Sequence, residues 1–77
     1  MDKNMLTIVV PCYNEEEVLP ETVKELGGVL ENMIAERKVA DNSKILFVDD
    51  GSKDKTWSLI QKFEEQHDYI TGIKFSR

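Results

Sequence analysis

Thr7-Ile8-Val9-Val10-Pro11-Cys12-Tyr13-Asn14-Glu15 and Ile45-Leu46-Phe47-Val48-Asp49-Asp50-Gly51-Ser52 decide the fold of this chain. Each is a short apolar run that stops at polar, turn-forming residues, the pattern of a buried parallel strand emptying into a loop. Ligands of open α/β sheets bind outside the carboxyl ends of the strands. An aromatic ring on one such loop and carboxylates on both therefore point to a shared pocket.

Working outward, the pattern reads strand, helix, strand, helix, strand. Residues 5–10 are expected as the first strand and 44–49 as the second. Between them, from about Glu16 or Pro20 to Arg37, Leu19, Val23, Leu26, Val29 or Leu30, and Met33 or Ile34 form one helical stripe. Pro20 suits an early helical position, where its missing N–H costs nothing. Gly27 and Gly28 fall inside this helix at a cost of about 1 kcal/mol each relative to Ala, which either close packing on the sheet, the favoured reading, or a kink would account for. Asp54 is the expected N-cap of a second helix ending near Gln66, with Trp57, Ile60 and Phe63 inward. Residues 70–75 alternate apolar with small or polar and form the last, edge strand.

Right-handed crossovers then predict an α/β, Rossmann-like βαβαβ half with a parallel sheet in the order 3-2-1 and both helices on one face. Three strands covered on one face leave the other bare, and a bare apolar face signals a missing partner. Residues 1–77 are thus expected to be the opening segment of a larger domain, and the isolated chain is expected to self-associate.

Composition narrows the function. With 15 acidic against 10 basic residues the net charge is −5, which argues against nucleic acid, whose binders cluster Lys and Arg against phosphates. No apolar run approaches the roughly 20 residues of a membrane span. Cys12 is the single cysteine, so no intrachain disulfide forms and a cytoplasmic setting is the default. Neither a Gly-x-Gly-x-x-Gly nor a Gly-x-x-x-x-Gly-Lys-Ser/Thr loop is present to cradle a pyrophosphate.

The two loops carry the chemistry. Tyr13 stands just past a strand end, where a ring either stacks on a nucleobase, worth roughly 1–3 kcal/mol, or packs on the sheet end. Ionised Glu15 and Asp49 accept hydrogen bonds only, which suits ribose hydroxyls and the N–H edge of uracil or guanine. Glu16 and Glu17 are explained by favourable charge at a helix start. Asp50-Gly51-Ser52 reads equally as a ligand loop and as a turn capped by Asp50 or Ser52. Lys53 and Lys55 read as solvated, and His67 as a group at a helix C-terminus. An acidic pocket repels an anionic nucleotide by roughly 4 kcal/mol for unit charges about 4 Å apart at an effective dielectric near 20. A divalent cation, Mg²⁺ or Mn²⁺, is the simple remedy.

With Val10-Pro11-Cys12-Tyr13-Asn14-Glu15-Glu16 and Val48-Asp49-Asp50-Gly51-Ser52-Lys53-Asp54-Lys55-Thr56 in view, the chain resembles the N-terminus of family 2 glycosyltransferases. These are inverting enzymes of the GT-A fold. The likeness is greatest to the dolichol-phosphate-mannose-synthase-like branch, whose bacterial members glycosylate polyprenyl phosphate. It implies that Pro11, Tyr13 and Glu15 line the nucleoside site and that Phe47, Asp49 and Asp50 complete it. Arg77 resembles the family's arginine near the base or diphosphate. The resemblance implies a UDP- or GDP-linked donor and a polyprenyl phosphate acceptor at the cytoplasmic face of a membrane, in service of cell-envelope polysaccharide. It places the Asp-x-Asp metal motif and the catalytic base beyond residue 77, so no catalytic residue and no metal ligand is assigned here. Two rivals stand beside it. A signalling receiver domain also joins an apolar strand to paired aspartates, but after its first strand rather than its second. The chain is otherwise an inactive interaction module.

Overall fold

The computed structural model describes residues 4–75. In chain order it consists of β1 (Thr7–Cys12), α1 (Leu19–Ala35), β2 (Lys44–Asp49), α2 (Thr56–Gln66) and β3 (Ile70–Lys74). The strands form one parallel sheet with β2 between β1 and β3, the expected order. Register is fixed by pairs such as Val10 with Phe47, Cys12 with Asp49, and Asp49 with Lys74.

β1 begins and ends two residues later than the apolar run indicated, carrying through Pro11 to Cys12. Proline lacks the N–H of a central strand but is tolerated on a strand that pairs along one side. That is the situation of β1 among the described strands. α1 is preceded by a turn in which the Glu15 carbonyl accepts from the Val18 and Leu19 amides at 3.1 and 2.8 Å. Glu16 and Glu17 therefore lie before the helix, and Glu21 is the acid of its first turn. The helix ends at Ala35, short of Arg37, because Arg37 turns into the left-handed region at φ 60. There the Arg37 amide donates to Ile34 O and the Lys38 amide to Met33 O, the paired bonds of a Schellman motif.

Both helices cover one face. Leu19, Val23 and Leu30 from α1, Ile60 from α2, and Cys12, Ile45, Phe47 and Ile70 from the strands form a single buried cluster. Two glycines allow the close contacts. A Cβ on Gly27 would stand 2.6 Å from the Tyr69 hydroxyl, and one on Gly72 would collide with Ile60 Cγ2. Gly27 thus allows a close approach, though to the Tyr69 ring in the turn before β3 and not to the sheet as anticipated, whereas Gly28 faces open space. On the opposite face Val9 and Ile73 are exposed, and the row Pro11, Val48, Ile73 crosses all three strands.

Candidate functional site

The carboxyl ends of all three strands meet at one end of the sheet, as parallel pairing requires. A cleft of about 630 Å³ opens there, lined by Tyr13, Asp50, Gly51, Ser52, Lys53, Lys74 and Phe75. That volume falls within the range of small-molecule sites, roughly 300–1,000 Å³. Tyr13 comes from the loop after β1, residues 50–53 from the loop after β2, and Lys74 and Phe75 from the end of β3. The Tyr13 ring is 53% exposed, so its face is available for stacking.

The two loops are joined by side chains. The amides of Asn14, Glu15 and Glu16 donate in succession to Ser52 Oγ at 2.8 Å, Thr56 Oγ1 at 2.8 Å and Asp54 Oδ2 at 3.3 Å. Asn14 Oδ1 in return accepts from the Lys53 amide at 2.9 Å. Two residues in the left-handed region let the chain turn: Asn14 at φ 51 and Gly51 at φ 78. Asn tolerates that conformation better than most side chains, and Gly adopts it without penalty.

Asp54 serves the second loop. Its Oδ1 accepts from the Thr56 amide at 2.9 Å and from the Thr56 hydroxyl. The Thr56 hydroxyl above all holds the Asp54 carboxyl below the ordinary carboxylate value. Asp54 thus supports the start of α2, but the N-cap expected of it falls one residue later, at Lys55, which makes no side-chain cap bond, and the helix begins at Thr56.

The residues singled out from sequence fall into three groups. Tyr13 and Asp50 share the cleft. Glu15 lines a neighbouring depression with Asn14, Glu16 and Asp54, and its amide belongs to the loop junction. Phe47 and Asp49 are wholly buried beneath, on the helix-covered side, and add no surface to the cleft. Asp49 Oδ1 accepts from the Ser52 amide at 3.2 Å, while its Oδ2 is buried without a hydrogen-bond partner. Pro11 lies on the bare face of the sheet, one strand position before the covered Cys12. Arg77 lies outside the described residues.

Cys12 is buried, and its thiol is pushed up to about 11, first by burial and then by the nearby carboxylates of Glu15 and Asp49. A buried thiol held protonated is a poor nucleophile, in keeping with a packing role.

Lys74 and Lys53 bring positive charge to the cleft. Lys74 was not anticipated, although parallel register alone carries the signal. Its pairing with Asp49 places it beside the β2 loop. Its ammonium also lies 6.0 Å from the centre of the Trp57 ring, at the limit of a cation–π contact. Among the described residues no three His, Cys, Asp or Glu side chains converge to hold a metal ion. None of the described helices is long and apolar enough to cross a membrane.

Comparison with known proteins agrees with this architecture. The sequence model described as glycosyl transferase family 2 matches residues 7–77. An uncharacterized glycosyltransferase of Bacillus subtilis, YkoT, is 53% identical over 72 residues, covering 94% of this chain and 21% of the relative. The human dolichyl-phosphate beta-glucosyltransferase is 39% identical over 62 residues, 80% of this chain and 19% of the relative. An undecaprenyl-phosphate 4-deoxy-4-formamido-L-arabinose transferase of Pseudomonas fluorescens is 35% identical over 63 residues, 82% of this chain and 17% of the relative. The chain spans about a fifth of the length of these relatives.

Proposed function

Because the chain belongs to glycosyl transferase family 2, we propose that it is the donor-binding segment of an inverting glycosyltransferase that uses a nucleoside diphosphate sugar. The observation that supports this reading is the single cleft shared by Tyr13, Asp50, Lys53 and Lys74. An aromatic face, a carboxylate and two ammonium groups match the three parts of such a donor. The Tyr13 ring stacks on the base, and Asp50 accepts from ribose hydroxyls or a base N–H. Lys53 and Lys74 attract the diphosphate, offsetting the negative charge that the acidic sequence would otherwise set against it. Phe47 and Asp49 act from beneath, Phe47 by packing and Asp49 by holding Ser52 in the cleft wall. Pro11 and Glu15 are assigned to the lining of the nucleoside site, and Arg77 to the neighbourhood of the base or diphosphate, on the strength of the family resemblance.

In the whole protein an acceptor oxygen, already ionised where the acceptor is a phosphate and freed of its proton by a base where it is a hydroxyl, attacks the anomeric carbon from the face opposite the departing nucleoside diphosphate. This segment contributes the grip on that leaving group. Mg²⁺ or Mn²⁺ is the expected companion of the diphosphate, and residues 4–75 do not assemble its ligand set. The names of the human and Pseudomonas relatives carry dolichyl phosphate and undecaprenyl phosphate. We assign a polyprenyl phosphate acceptor at the cytoplasmic face of a membrane on that likeness. Membership of the family displaces the receiver reading.

Calorimetric titration of UDP and GDP, each with and without Mn²⁺, tests the proposal. One of the two is expected to bind, and Tyr13→Ala is expected to weaken it by about tenfold, the lower range of a lost base stack. Failure of both nucleotides to bind, or an unchanged affinity in Tyr13→Ala, overturns the assignment.

A further inference from the structure

We infer that Asn14 is a positioning residue, a clasp that holds the two walls of the cleft in register so that Tyr13 faces Asp50 and Lys53 before any ligand arrives. The ligand in this statement rests on the nucleotide-sugar reading above; the clasp itself rests on geometry. Asn14 makes two bonds of opposite sense to the same partner loop. Its amide donates to Ser52 Oγ at 2.8 Å, and its Oδ1 accepts from the Lys53 amide at 2.9 Å. These bonds join residues 38 and 39 positions apart in sequence.

The residues so joined are adjacent to the ones that line the cleft. Tyr13 precedes Asn14 directly and is more than half exposed, outside the packed core cluster. Backbone position must therefore aim it. Ser52 is in turn anchored through its own amide to the buried Asp49 carboxylate. A continuous line thus runs from the core, through Asp49 and Ser52, to Asn14 and the Tyr13 backbone.

The residue type fits the task. At φ 51 the position demands tolerance of the left-handed region, and the Lys53 amide demands a short side-chain acceptor. Asp meets both demands, Gly only the first, and Ala neither. Ordering both loops during folding removes an entropic cost that binding would otherwise bear.

The experiment compares Asn14→Gly, Asn14→Asp and Ser52→Ala with the unsubstituted chain. Backbone ¹⁵N order parameters are read for residues 13–15 and 50–53, alongside affinity for UDP and GDP with Mn²⁺ and the thermal midpoint. Asn14→Gly is expected to drop loop order parameters from about 0.85 toward 0.6 or below. It is expected to weaken nucleotide binding about tenfold, the scale of one net hydrogen bond, while β2 and the helices keep their order parameters. Asn14→Asp is expected to restore both. Loops as ordered in Asn14→Gly as in the parent overturn the clasp. Loosened loops with unchanged affinity overturn its role in binding. Should Asn14→Gly fail to fold, Ser52→Ala removes the reciprocal bond alone and is judged by the same two readouts. If the parent binds neither nucleotide, the donor reading fails, and the order parameters still decide the clasp.

Discussion

On the helix-covered face of the sheet, Cys12, Ile45, Phe47, Asp49 and Ile70 are each at most 3% exposed, whereas on the opposite face Val9 and Ile73 are 59% and 43% exposed. The strands are the same; only the parity differs. Adjacent residues of one motif are thereby given different work. Asp49 turns inward to hold Ser52, and Asp50, the next residue, lines the cleft. The contrast teaches that a motif at a parallel strand end has a structural half and a ligand-facing half, interleaved at period two.

The sharpest way to break this contrast is Phe47→Ala. Removing the largest fully buried side chain from the covered face should cost about 3–5 kcal/mol. That is close to the whole stability expected of a domain this small. Circular dichroism with urea is expected to show a chain largely unfolded at 25 °C. A loss below about 1 kcal/mol would mean that the covered face is not a packed core.

Glycines sharpen the same contrast with opposite signs. In Gly72→Ala the new methyl meets Ile60 Cγ2, and because Ile60 is itself fully buried, its side chain or α2 with it must shift against packed neighbours. A cost of about 1–3 kcal/mol is expected. Gly28→Ala meets nothing within 4 Å on α1 and should instead stabilise by about 0.5–1 kcal/mol. Equal effects at the two sites would contradict the described packing of α2 on β3.

Alkaline titration addresses the covered face electrostatically. Burial, with help from Glu15 and Asp49, raises Cys12 from its ordinary 9.0 to about 11. The folded chain thus keeps a proton that the unfolded chain surrenders, so stability is intact below pH 9 and falls as pH rises toward 11. Tyr69 is shifted in the same direction, by burial first and then by Glu31, and steepens the decline. Cys12→Ala should flatten the dependence in urea titrations between pH 8 and 11. A disulfide reagent at pH 8 should react with the native thiol only as fast as the chain opens. Rapid stoichiometric labelling of the folded chain would refute the buried, protonated state.

Much of this was legible without coordinates, and the limits have a physical cause. Element order, parallel pairing and the 3-2-1 sheet followed from two apolar runs, one helical stripe and the handedness of crossovers. Tyr13 and Asp50 were placed at strand ends because each run stops beside them. The burial of Phe47 and Asp49 was not legible, because β2 is apolar at both parities: Ile45 and Phe47 on one, Leu46 and Val48 on the other. Periodicity cannot say which of two apolar faces the helices choose. The Asn14 junction was hidden for another reason. Side-chain bonds to a distant backbone amide leave no periodic trace, and only the Asn, Ser, Asp and Thr residue types mark where they form.

The smallest expected effect is also the most discriminating. Val9→Lys places a charge in the middle of β1, between Ile8 and Val10, where a core position would tolerate none. Burial of an unpaired ammonium would cost several kcal/mol. Val9 is paired with Leu46 on the uncovered face and is more than half exposed, so the ammonium can remain hydrated while its methylenes lie along the sheet. Stability in urea is therefore expected to change by no more than about 0.5 kcal/mol. A loss approaching that of Phe47→Ala would show that a second copy covers Val9 in solution, the self-association a bare apolar face invites, and the two faces would no longer differ in kind.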